Sequence, residues 1–185
     1  MDWDSIGVSD SPLIDVASDA LAMGEPSWPR GYQRYRIVRT WQSLILASEG
    51  LGPTELYLEM PTAQGWLTAQ VRNQWQFDLL STLCRSLVTA QWPDTPFVVT
   101  APAPFSAPPP LTDGQVMAAA IGVPVPGRSS EALPVTPLTA RELAFLHGGG
   151  ALDPVIQARQ EMGFHHVVVD APEVTSLIDD RLPTP

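Results

Sequence analysis

The segment Thr40 to Pro61, TWQSLILASEGLGPTELYLEMP, constrains the fold more than any other part of the chain. Leu44-Ile45-Leu46 is a short apolar run of the kind that sits in a covered sheet. Gly50-Leu51-Gly52-Pro53 supplies turn residues, since glycine reaches positive φ without strain and proline fixes φ near about −65°. Leu56, Leu58 and Met60 then alternate with Glu55, Tyr57 and Glu59. That period of two predicts one buried face and one wet face. Pro61 has no N–H to give to a ladder and should end the strand. The segment therefore reads as a two-stranded hairpin.

A helix to cover it follows. Asn73 and Gln76 have the spacing of a capping box, and Trp75, Leu79, Leu80, Leu83 and Leu87 recur at helical spacing. The pattern predicts a helix from about 74 to 91, stopped by Pro93. Burying five such side chains contributes about 10 kcal/mol gross, at roughly 2 kcal/mol each. Cys84, the single cysteine, falls beside the Leu80-Leu83-Leu87 stripe, where it reads as a buried, inert thiol.

Elsewhere, alternation predicts a strand at about 32–39. Phe97 to Thr100, Val116 to Val123, Leu133 to Val135 and His166 to Val169 read as further strands. Thr139-Ala140-Arg141-Glu142 is a clear capping box opening a helix over about 140–147, closed by Gly148-Gly149-Gly150. Asp153-Pro154 opens another that runs to about Met162. Ser11-Pro12 reads as the start of a short helix with Leu13, Ile14, Val16, Ala17 and Leu21 on its apolar side and Gly24 as its stop. Residues 1 to 9 read as a tail. Residues 101 to 110 hold five prolines and read as an extended surface segment that cannot be an interior strand or a helix. The fold class expected is α+β, a mixed and mostly antiparallel sheet packed against helices. Residues 1–30 form an acidic N-terminal extension, 31–181 a single domain and 182–185 a tail.

Charge narrows the partners. Ten arginines, no lysine and twenty acids give a net charge of −10 over 185 residues. Such a chain is repelled by nucleic acid and by anionic membranes, and it favours a basic protein partner or simple solubility. Arg30, Arg34, Arg36 and Arg39 cluster with Tyr32, Tyr35 and Trp41, a combination that can hold phosphate or RNA bases. The overall charge favours the alternative, that these arginines balance the six acids of residues 1–30. The acidic opening Met1-Asp2-Trp3-Asp4 lacks the positive charge of a signal peptide. No apolar run reaches the roughly 20 residues of a membrane span. A cytoplasmic protein is expected.

Catalytic motifs do not assemble. His147-Gly148-Gly149-Gly150 matches a glycine-rich oxyanion segment, but no Gly-x-Ser-x-Gly accompanies it, and its place at a helix end explains the histidine and the glycines. His165 and His166 are adjacent and would face opposite sides of a strand. Glu55 and Glu59 share a strand face that reads as a solvated surface. No dinucleotide fingerprint or phosphate loop occurs. No catalytic, metal or cofactor residue is expected.

Several of these stretches together resemble the bacterial branch of the Suppressor of Fused (SUFU-like) family. They are Thr54-Glu55-Leu56-Tyr57-Leu58-Glu59-Met60-Pro61, then Trp75 with Asp78-Leu79-Leu80, then Val116-Met117-Ala118-Ala119-Ala120, and finally Leu138-Thr139-Ala140-Arg141-Glu142-Leu143. The resemblance spans about residues 30 to 181, with the proline-rich 101–110 segment in place of a more polar loop. It implies a non-catalytic domain for protein binding and, in bacteria, an immunity protein that neutralises a cognate toxin of a contact-dependent or type VI system. The expected partner is a basic protein toxin or effector. Asp2, Asp4, Asp10, Asp170, Asp179 and Asp180, on flexible or edge segments, are the candidate contacts. The alternative is an adaptor or chaperone for a secreted effector; a hydrolase with a site around His147 or Glu55 and Glu59 ranks below both.

Overall fold

A computed structural model describes residues 2–17, 28, 32–41, 43–52, 54–61, 67–88, 90–93, 96–106, 115–125 and 131–161. In chain order these form a 3-10 turn, Trp3–Ser5, and strands β1 Val8–Ser9, β2 Ile14–Ala17, β3 Tyr32–Arg39, β4 Ser43–Glu49 and β5 Glu55–Pro61. Helices α1 Thr68–Val71 and α2 Trp75–Leu87 follow, then β6 Phe97–Ser106, β7 Gln115–Ile121, β8 Ala132–Thr139, α3 Ala140–His147 and α4 Leu152–Glu161. The fold is α+β. The sheet runs β1-β3-β4-β5-β8-β7-β6, with β2 also on β3, and every pairing is antiparallel except β5 with β8.

The hairpin forms as its pattern predicts. Leu44 lies opposite Met60 and Leu46 opposite Leu58, Gly50 sits at φ +79°, and Pro61 is the last residue of β5. Leu46, Leu56, Leu58 and Met60 pack beneath α2 with Leu79, Leu80, Leu83 and Cys84 in the main core. All five residues of the helical stripe are buried.

The second face of the hairpin is wet only at its turn end, where Glu55 is partly exposed. Tyr57 and Glu59 are 1% and 3% exposed; Trp3 folds back over that side and packs with Val38, Ile45, Ala47 and Tyr57. Farther along the same face, α3 and α4 cover β7 and β8 through Leu143, Phe145, Val155 and Ile156 against Ala118, Ala120 and Leu138. The sheet is thus a middle layer. Alternation still marks two faces, but both are covered over most of their length.

Other expectations need correction for the same reason. Residues 1–9 are no tail: Trp3 is buried and Val8 pairs with Arg39. Gly7 lies so close that a Cβ there would fall 2.4 Å from the Arg39 carbonyl oxygen. Ile14 to Ala17 is a strand on β3, not a helix, since pairing with an existing edge satisfies its backbone and overrides a weak local helix signal. Leu21 and Gly24 lie outside the described residues. Helix α2 starts at Trp75 behind Gln74, which makes no side-chain cap, so the Asn73–Gln76 box does not form; the helix ends at Leu87, ahead of Pro93. The short helix α1 precedes it, with no counterpart among the predicted elements. The prolines at 102 and 104 lie on β6, the outermost strand, where a missing N–H interrupts no interior ladder.

Strand β8 is interior yet contains Pro134 and Pro137. Its pairing with β5 covers only Ala132 to Pro134, and the Pro134 carbonyl accepts from Gly122 N at the end of β7, at 2.9 Å. The Pro137 carbonyl accepts from Arg159 Nη2 at 2.8 Å. N and O of one strand residue share an edge, so the ring nitrogen of Pro137 also faces away from β7. The expected last strand, His166 to Val169, lies outside the described residues.

Candidate protein-binding site

The N-terminal turn builds the site. Asp2 caps it, its carboxylate accepting from Asp4 N at 3.2 Å. The Trp3 ring meets Tyr57 edge-on, with centroids 5.8 Å apart. Ser9 Oγ donates to the Asp4 carboxylate at 2.8 Å. Anchoring one buried indole therefore fixes two exposed carboxylates above the sheet. Between them and the turn end of β3, β4 and β5 lies an open hollow of about 220 Å³, lined by Asp2, Trp3, Asp4, Arg36, Glu49 and Glu55.

Each sheet carboxylate in this hollow has a defined partner. Glu49 takes a two-pronged contact from Arg36, Nε at 2.9 Å and Nη2 at 3.1 Å. That hydrogen bond pushes the Arg36 guanidinium further above its ordinary range. Glu55 accepts from Gly50 N at 2.7 Å, from Leu51 N and from the Ser48 hydroxyl, so it staples the β4–β5 turn. Among the described residues that line it, the hollow holds four carboxylates and one guanidinium. Among the described residues its lining has no histidine, cysteine, serine or threonine, and no group of three or more His, Cys, Asp or Glu is placed to hold a metal ion. What this arrangement can do is attract and seat an organic cation.

A second hollow, about 330 Å³, lies on the other side of the same turn. Its lining includes Leu51, Gly52 and Thr54 from the turn and Leu87, Val88 and Trp92 from the end of α2 and beyond.

The structure brings Asp2 and Asp4 together, as two of the six predicted contacts, and separates Asp10 from them. Asp10 takes Arg39 Nε at 2.8 Å and Nη2 at 2.7 Å, plus the Thr68 hydroxyl at 3.1 Å, near the opposite end of β3. The Arg39 hydrogen bond holds the Asp10 carboxyl below its ordinary range. Asp170, Asp179 and Asp180 lie outside the described residues. Arg34 and Arg39 pair with Asp15 and Asp10 of the preceding acidic segment, in keeping with charge balance rather than a phosphate site.

The other weighed groups do not converge. His147 is exposed at the end of α3. Cys84 is fully buried, and burial pushes its thiol well up. Glu59 is buried, not solvated, and accepts from the Ser43 hydroxyl. Sequence reasoning missed Trp3, Arg36 and Glu49 as parts of a site. The available signal was the pair Glu49 and Glu55 flanking the glycine turn, which antiparallel pairing must set side by side.

No family model matches this chain, and no curated protein or solved structure matches it. Among the described residues no helix is long and apolar enough to cross a membrane.

Proposed function

We propose that this chain is a non-catalytic protein-binding domain that captures a basic protein, and that it acts as an immunity protein neutralising a cognate toxin. The observation that carries the reading is the open hollow that the carboxylates of Asp2, Asp4, Glu49 and Glu55 line together with Arg36. A surface of this sign attracts cationic partners and raises their association rate. Its carboxylates are fixed by a buried tryptophan and a stapled turn, so little ordering cost attends binding. The overall charge of −10 extends the same field, and a toxin acting on nucleic acid would be basic. The immunity role itself rests on the family resemblance of the sequence. The cytoplasm, where such a toxin would strike its own producer, is the compartment in which it would work.

The test is co-expression with the product of the adjacent open reading frame. Restored growth together with a stable complex on size exclusion is the expected outcome. If the chain neither protects cells nor forms a complex, the proposal fails. Lost secretion of that product on deleting this gene, without self-poisoning, would instead favour an adaptor or chaperone.

A further inference from the structure

We infer that the apolar hollow beside the β4–β5 turn receives an apolar side chain of the partner, from a segment whose neighbouring arginine or lysine sits in the acidic hollow across that turn. The inference rests on the binding function proposed above and adds the chemistry of the partner segment. The two hollows flank one turn: Glu49 and Glu55 line one, and Leu51, Gly52 and Thr54, between them in sequence, line the other. Leu87 and Val88 close the second hollow from α2, and the indole N–H of Trp92 is spent on the Leu87 carbonyl at 2.8 Å. A volume of about 330 Å³ accommodates a leucine or phenylalanine side chain, given that a sealed apolar cavity of about 150 Å³ takes benzene.

Charge selects the occupant. Among the described residues four carboxylates and one guanidinium lie across the turn, and the C-terminal end of α2, which forms one wall, carries the negative pole of the helix. An anionic membrane surface is repelled by this end of the molecule, and so is a second copy of a chain at −10. A segment pairing an apolar residue with a cation is complementary to both hollows at once.

The experiment is panning of a random peptide library displayed on phage against the full chain. Gly52→Trp and Ala90→Trp variants serve as blocks. A Cβ at Gly52 meets nothing within 4 Å, and Ala90, which also lines the hollow, is exposed, so both variants should keep the wild-type circular dichroism and melting temperature. Enriched peptides should place Leu, Ile, Met or Phe within a few residues of Arg or Lys. For a synthetic peptide of the enriched sequence, changing the apolar residue to Ser should weaken binding about tenfold or more by fluorescence anisotropy. Both tryptophan variants should erase that difference while leaving salt-sensitive residual binding. Basic peptides with no apolar requirement, or binding indifferent to both blocks, overturn this inference and leave the acidic-hollow reading standing. Enriched peptides without cations, or a library that yields nothing, overturn both.

Discussion

The α3–α4 corner and the acidic hollow each combine carboxylate with a single guanidinium, and they use them in opposite ways. In the corner, Glu142 and Arg159 are 0% and 7% exposed. Arg159 meets both Glu142 oxygens at 2.7 and 2.8 Å and also donates to the Pro137 carbonyl. Glu142 additionally accepts from Thr139 N at 2.7 Å, completing the capping box. One charge meets one charge, and every contact holds the chain together. In the hollow, which is open to solvent, four carboxylates and one arginine are gathered among the described residues. The lesson is that burial requires charges to balance, whereas a solvated hollow tolerates an excess that a partner can use.

The largest effect should come from breaking the balanced site. Arg159→Met leaves Glu142 buried without its counter-ion, and stability should fall by about 3–5 kcal/mol in chemical denaturation. Glu55 tests the border between the two regions, since it contributes charge to the hollow and structure to the turn. Glu55→Ala orphans Gly50 N, Leu51 N and the Ser48 hydroxyl, and should cost about 1–3 kcal/mol while also weakening partner binding.

Asp10 is an intermediate case, partly buried and paired with Arg39. Its folded pKa is depressed, so its contribution is present above the unfolded carboxyl range and is lost as pH falls through the folded value. Asp10→Asn should cost about 1 kcal/mol or less at neutral pH and flatten the decline of stability below about pH 4. Smallest in stability should be Asp2→Asn with Asp4→Asn, within about 0.5 kcal/mol per site. The same pair should slow association with a basic partner and reduce its salt dependence, measured by stopped-flow. A large loss of stability from the Asp2/Asp4 pair, or none from Arg159→Met, would erase the contrast.

Much of the architecture was legible because it depends on neighbours in sequence. The hairpin follows from an apolar run and an alternating strand on either side of a glycine turn. The α3 start follows from the Thr139–Glu142 box, a contact three residues apart. The α2 stripe follows from its helical spacing. These are local periodicities, and they survive any tertiary context that buries one face.

What only the tertiary structure decided is which surfaces were covered and which charges met. Nothing local distinguishes the Tyr57–Glu59 face from a solvated one; Trp3, more than fifty residues earlier, makes the difference. Nor does spacing reveal that Asp10 answers Arg39 while Asp2 and Asp4 gather beside Arg36 and Glu49. A sequence sets the sign of its charges and the faces of its elements, because these depend on side-chain chemistry and backbone period. The pairing of charges and the second cover of a sheet depend on long-range packing, where burial energy outweighs local preference.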